Sequence, residues 1–113
     1  MMTARDKPLV WLHGEVKSPP LSKAGRLELG FLLRMLQRGR LLALPHSRPM
    51  PRVGRHCHEL RLTDVSGQWR LIYRIDSDAI LVLDVFQKKT VSTPLSVISA
   101  CQSRARIYDD ESN

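Results

Sequence analysis

Two cysteines are all that this chain of 113 residues contains, Cys57 and Cys101, far apart and without C-x-x-C spacing. That excludes a disulfide scaffold and the common zinc frameworks. No apolar run approaches the ~18 residues needed to cross a bilayer, and Met1 to Lys7 lack the apolar stretch of a secretory signal. A cytoplasmic, reduced setting with free thiols and no membrane partner is expected. There is no Gly-rich phosphate loop, no pair of carboxylates at helical spacing, and no Ser/His/Asp set that stands out. His56 and His58 flank Cys57, but His-Cys-His fits no usual zinc pattern, and strand alternation points neighbours apart. Neither a metal nor a cofactor is required by any motif. Acids are scarce as well: 11 Asp and Glu stand against 18 Lys and Arg, a net charge of +7.

Of those basic residues thirteen are Arg and five are Lys. Arg binds phosphate through a planar fork of donors, so this bias suggests a polyanionic partner more than a Lys-rich solubility surface would. A basic surface for an acidic protein is the competing reading. The length allows one core, so residues 1–113 are expected to form a single domain with 1–7 and 109–113 loose.

Hydrophobic periodicity orders the elements. Pro8 to Gly14 reads as a first strand, and Pro19-Pro20 ends its run. Leu29, Leu32, Leu33 and Leu36 fall at i, i+3, i+4, i+7, which predicts a helix with Ser22 as N-cap and Gly39 just past its end. Gly25 and Gly30 weaken this helix by roughly 1 kcal/mol each relative to Ala; close packing on a sheet would be the reason to tolerate them. Arg40 to Arg55, with Pro45, Pro49, Pro51 and Gly54, reads as a long irregular loop. Three strands follow, Cys57–Thr63, Gln68–Ile75 and Ala79–Phe86, separated by turns at Asp64–Gly67 and Asp76–Asp78. Thr93-Pro94 then opens a second helix, with Thr93 as N-cap, a stripe of Val97 or Ile98 with Cys101 and Ala105 inside, and Arg104 and Arg106 facing out. The order β-α-β-β-β-α is α+β.

The four-residue turn after Thr63 places Arg61 opposite Arg70. Like charges directly opposite destabilise a sheet, unless an anion neutralises both. With three turn residues after Ile75, Asp84 would also face Arg70. Two readings therefore stand side by side: an anion site, or a cross-strand charge ladder of Glu59, Arg61, Arg70 and Asp84. One chemistry suits a cationic surface with few acids. RNA cleavage by the substrate's own 2′-hydroxyl needs only proton transfer and stabilisation of charge on phosphorus.

Lys7-Pro8-Leu9-Val10-Trp11-Leu12, Glu28-Leu29-Gly30, Leu36-Gln37-Arg38-Gly39, Glu59-Leu60-Arg61, Trp69-Arg70-Leu71-Ile72-Tyr73 and Phe86-Gln87-Lys88-Lys89-Thr90 with Pro94 resemble the phage-derived HigB/RelE-like toxins. The resemblance implies a RelE-like α+β fold, a small twisted, mainly antiparallel sheet carrying an N-terminal helical segment and a C-terminal helix. It also implies the toxin half of a type II toxin–antitoxin pair, a metal-independent mRNA endoribonuclease acting on the ribosome. Its partner would be an antitoxin bearing a helix-turn-helix domain. By motif, Arg61, Arg70 and Lys89 would hold the scissile phosphate, with Lys88 the neighbouring candidate; Lys88 and His58 or His56, close to the same basic region in the chain, are the candidate proton carriers. Arg74, Arg55, Arg52 and His56 are the further RNA contacts expected. Asp84 departs from relatives that carry His there, and Tyr108 lies past the usual aromatic position. The alternatives are a non-catalytic RNA- or ribosome-binding module and a gyrase-inhibitor-like binder of a host protein, both on the same fold.

Overall fold

The computed structural model describes residues 6–112. The elements run β1 (Leu9–Trp11), α1 (Lys23–Gln37), β2 (Ser47–Pro49), β3 (Cys57–Asp64), β4 (Gly67–Ile75), β5 (Ile80–Lys88) and α2 (Leu95–Ser112). The strands form one sheet in the order β1-β5-β4-β3-β2. All pairs are antiparallel except β1 with β5. The two helices lie on opposite faces, so the α+β arrangement expected from the chain order is the one observed.

Strand alternation decides what each face carries. Leu60, Leu62, Trp69, Leu71, Tyr73, Ile80 and Val82 point one way and pack against Leu29, Leu32, Leu33 and Leu36 of α1. Cys57, Ile72, Leu81 and Leu83 point the other way, under Ile98, Cys101 and Ala105 of α2. Both cysteines are buried and free, as expected. Burial pushes the Cys57 thiol up to about 11 and the Cys101 thiol up to about 12, so neither is a reactive thiolate near neutral pH.

The ends of α1 follow from its sequence. Ser22 caps it through its hydroxyl, which accepts from the Gly25 N–H at 2.9 Å. At the far end Gly39 takes φ +88°, and the Gly39 and Arg40 N–H groups return to the carbonyls of Leu36 and Met35. That is the Schellman arrangement, open to glycine because it has no Cβ to clash. Asp64 joins this helix to the β3–β4 hairpin. Its carboxylate accepts from the Ser22 N–H and hydroxyl, and from the Ser66 N–H and hydroxyl. Those bonds hold its carboxyl well below the usual carboxylate range.

Four features differ from expectation. The segment 40–55 contains β2, a three-residue strand on the outer edge of β3; Pro49 is tolerated there because an edge strand has one side without ladder bonds. Thr93 is not the cap of α2, whose first turn is closed by the Pro94 carbonyl; its hydroxyl goes to Glu59 instead. The tail is helical to Ser112, because Arg74 holds Asp109 through two hydrogen bonds of 2.6 and 2.9 Å. At the other terminus Lys7 bonds Gln37 through both its N–H and its carbonyl. The rest of the ends expected to be loose, residues 1–5 and Asn113, lies outside the described residues. Among the described residues no helix is long and apolar enough to cross a membrane.

The fourth difference moves Asp84. Ile75 pairs with Ile80, so the β4–β5 turn is one residue longer than expected, and a bulge between Ile72 and Tyr73 adds a second residue. Without the bulge, Asp84 would point into the apolar face under α1. The extra residue turns it to the α2 face, opposite Ile72, and returns Val85 to the α1 side. Arg104, expected to face solvent, turns inward and fastens the bulge. Its Nη1 donates to the Leu83 carbonyl at 2.9 Å and lies 3.5 Å from Asp84 Oδ2.

The two helical glycines separate cleanly. A Cβ on Gly25 would run into the Asp64 carboxylate, whereas one on Gly30 would meet nothing within 4 Å. Gly30→Ala is therefore expected to stabilise the chain by about 1 kcal/mol, the ordinary helix-propensity gain. Gly25→Ala is expected to destabilise it despite the same propensity. Paired chemical-denaturation curves check both signs.

Candidate functional site

The α2-facing side of the sheet carries a polar field beyond the end of the helix. Strand register lays it out in rows. Arg48, Glu59, Ile72 and Asp84 lie across β2, β3, β4 and β5; Arg61, Arg70 and Phe86 form the next row; Thr63, Gln68 and Lys88 the next. Rows on one face are two residues apart, about 6.7 Å along a strand.

Glu59 is the centre. It is 0% exposed, and a carboxylate removed from water has to be matched by charge and hydrogen bonds. Its Oε1 accepts from Arg48 Nε at 3.1 Å and lies 3.7 Å from Arg70 Nε; its Oε2 accepts from the Thr93 hydroxyl at 3.2 Å. Arg70 is itself 6% exposed. Its Nη1 donates to the Trp69 carbonyl at 2.9 Å, but its Nε, buried, has no hydrogen-bond partner among the described residues. At 3.7 Å Glu59 supplies charge to that nitrogen without a proper bond. Burial, opposed by Glu59 and assisted by Arg61 and Arg48, draws the Arg70 guanidinium below its usual range.

Arg61 stands opposite Arg70, as the hairpin arithmetic requires, and has no carboxylate partner among the described residues. Lys88 enters the same field. Partial burial lowers the pKa of its ammonium, and Arg70, Arg48 and Arg61 lower it further against the pull of Glu59. Arg48, Arg61, Arg70 and Lys88 thus gather around one buried carboxylate, and the site keeps an excess of positive charge. Of the expected cross-strand ladder, the Glu59–Arg70 pair forms and the Arg70–Asp84 pair does not. Asp84 faces Ile72 rather than Arg70, and its charge is met by Arg104 and by the Val85 N–H.

The other residues expected at the site are placed elsewhere. His58 shares a face with Leu60 and Leu62, stacked on Tyr73 with centroids 5.4 Å apart, so the sheet separates it from Arg61 and Arg70. Burial, with His56 nearby, lowers its pKa. Lys89 is exposed, one residue past the end of β5, with no ion pair among the described residues. Arg55, His56 and Arg74 line a cavity of about 1040 Å³ at the opposite end of β3 and β4. There Arg74 is engaged by Asp76 and Asp109, whose hydrogen bonds raise its pKa. Lys7, Arg55, Arg74 and Arg106 in that cavity are matched by Asp76, Asp78, Asp109 and Asp110. His56 holds a φ of +63°, and Arg52, exposed, gives its carbonyl to Gln102.

The roles of three participants were only partly legible in the sequence. Arg48 sits in a Pro-flanked segment whose strand character no periodicity announces. The central role of Glu59 was foreshadowed only by its place in the cross-strand charge ladder with Arg61 and Arg70. Thr93 carried a stronger local signal as a helix cap. The misplacement of His58, in contrast, was readable: it shares strand parity with Leu60, not with Glu59.

Glu59 and Arg61 predict very different stability effects. Glu59→Leu leaves Arg70 buried without its counter-charge and should cost about 3–5 kcal/mol. Arg61→Ala, which breaks no ion pair, should change stability by no more than about 0.5 kcal/mol. Urea unfolding followed by circular dichroism measures both.

Residues 20–106 match the family described as phage-derived protein Gp49-like (DUF891). No curated protein matches the chain. The matched stretch takes in α1, the whole β2–β5 sheet with its Glu59-centred cations, and α2 as far as Arg106, and on that extent the chain belongs to the Gp49-like phage-derived family.

Proposed function

We propose that the chain is the toxin of a type II toxin–antitoxin pair, an endoribonuclease that cuts mRNA at the field around Glu59 without a metal. The observation that carries this reading is the meeting of Arg70 and Arg61 at one cleft: two guanidinium groups face each other across the hairpin, and among the described residues only Arg70 has a carboxylate, Glu59, beside it. A phosphodiester suits the pair, because its non-bridging oxygens accept from two guanidinium forks at once and offset their repulsion. Membership of the Gp49-like family and the resemblance to HigB/RelE-like toxins support the same reading. An antitoxin, mRNA and the ribosome are the partners it implies.

The chemistry follows from the groups in the field. The substrate's 2′-oxygen attacks phosphorus as its proton leaves to solvent, and the bond from phosphorus to the 5′-oxygen breaks. A 2′,3′-cyclic phosphate and a 5′-hydroxyl end result. Arg61 and Arg70 stabilise the negative charge that builds on the non-bridging oxygens. Lys88, whose pKa is lowered by burial and by its arginine neighbours, gives its proton to the departing 5′-oxygen. Lys89, exposed beside it, contacts the RNA backbone. Glu59 holds Arg48 and Arg70 in place and does not touch the substrate.

Expression in bacteria tests the proposal. The wild type should arrest growth and cut mRNA, and Arg61→Ala, folded as before, should do neither. Lys88→Arg separates binding from proton transfer, since an arginine keeps the charge but does not release its proton. It should bind RNA like the wild type and cleave about 100-fold more slowly. Because the Lys88 pKa lies below the ordinary lysine value, wild-type cleavage should decline as the pH rises through that lowered value, while RNA binding persists at the arginines. A soluble, folded wild type that neither arrests growth nor cuts RNA would sink the enzyme reading. Salt-dependent RNA affinity without cleavage would leave a binding module.

A further inference from the structure

We infer that the outward face of α1, from Lys23 to Arg38, docks an acidic amphipathic helix of a protein partner. α1 covers the sheet face opposite the one that carries the cations around Glu59. A partner seated on it leaves those cations open, and its docking does not depend on the RNA reading.

α1 buries Leu29, Leu32, Leu33 and Leu36 against the sheet. On the side turned away, Lys23, Leu27, Phe31, Arg34 and Arg38 fall within about 40° of one another's mean direction, given 3.6 residues per turn. All five are exposed, Leu27 by 57% and Phe31 by 64%. A single apolar side chain on a surface is ordinary; two at i and i+4, stacked one turn apart and ringed by cations, make a patch. Glu28, the acid of α1, stands about 100° round the helix from Leu27. Arg34 reaches Asp6 at 2.9 Å, while Lys23 and Arg38 have no carboxylate partner among the described residues. The patch is therefore apolar at its centre and positive at both ends.

Gly30 opens this face to close approach. It stands three residues after Leu27 and four before Arg34, so it is their neighbour on the helix surface. It is exposed, and a Cβ there would meet nothing within 4 Å. Gly25 is held to glycine by the Asp64 carboxylate, but Gly30 weakens the helix with no return inside the chain. The return comes when a second backbone closes on the gap, as helices do where a side chain is missing. Nucleic acid, which makes its contacts through phosphates and bases, gains nothing from the gap, and one aromatic ring beside a leucine is no stacking platform. A second copy of the chain would set like charges against like. An acidic amphipathic helix answers every feature, with apolar side chains for Leu27 and Phe31, carboxylates for the cations, and backbone over Gly30. The face from Lys23 to Arg38 is about 22 Å long, room for about four turns.

The test uses the full chain and a labelled synthetic helix of about sixteen residues, with leucines at i, i+3, i+4 and i+7 and glutamates and alanines elsewhere. A peptide of the same composition in scrambled order, and one with lysines for the glutamates, are the controls. Fluorescence anisotropy gives each Kd. The acidic helix should bind about tenfold more tightly than either control, and less tightly as salt rises. Phe31→Ser should weaken it about tenfold, and Arg61→Ala should leave it unchanged. Gly30→Ala separates docking from folding, since it should raise the denaturation midpoint and still weaken the acidic helix about tenfold. No binding of the acidic helix, equal binding of either control, or an affinity that survives Gly30→Ala or Phe31→Ser would overturn the docking surface. So would self-association of the chain that Phe31→Ser abolishes, which gives the face to a second copy. Displacement of the peptide by a short single-stranded RNA on the Arg61→Ala chain would overturn it too, and give the face to nucleic acid.

Discussion

The buried carboxylate of Glu59 is the constraint that the functional end of the molecule obeys. A carboxylate with no exposure cannot remain ionised in a protein interior without matching charge. Arg48 from the edge strand and Arg70 from the central strand provide it, and Thr93 supplies a further hydrogen bond. Each partner comes from a different element, so satisfying one carboxylate fixes three pieces of backbone. β2 is drawn onto the sheet edge, and the chain entering α2 is pinned beside the arginines. The match is nonetheless uneven. Two guanidinium groups share one carboxylate, and the nearer geometry goes to Arg48, leaving Arg70 Nε without a bond. Excess positive charge is therefore built into the fold rather than scattered over its surface.

That excess survives only because the neighbouring acid is kept away. Asp84 lies on the same sheet face, within the chain segment that simple pairing would have brought opposite Arg70. The longer turn after Ile75 and the bulge at Ile72 slide it by two residues, which preserves its face and changes its partner. Arg104 of α2 then satisfies both the carboxylate and the carbonyl of Leu83 at the bulge. The fold thus sorts its charges: Asp84 with Arg104 under the helix, Asp76 and Asp109 with Arg74 at the far cavity, and the unmatched cations around Glu59.

Much of this was legible in the chain, and the parts that were not have physical reasons. The α1 helix was readable because its leucine spacing, Ser22 cap and Gly39 terminator agree with one another. The Arg61–Arg70 pairing was readable because the turn joining β3 and β4 is short and its residues fix the register. The next turn was not, since Asp76-Ser77-Asp78 is compatible with more than one length, and a bulge leaves no pattern in a nearly continuous apolar strand. β2 was hidden because three residues ending in proline give no alternation to detect. Thr93 illustrates a different failure. Its local signal as a cap was sound, but a buried carboxylate 34 positions earlier in the chain competes for the hydroxyl with a stronger demand.

The account stands on Arg70 being a phosphate ligand, and its side-chain Nε–H resonance reports on that directly. In a titration with a short 2′-O-methylated RNA, nitrogen-edited NMR of the arginine Nε–H groups should show Arg70 and Arg61 shifting together, with Arg74 unmoved. Shifts at Arg74 and Arg55, with Arg70 unchanged at saturating RNA, would contradict it.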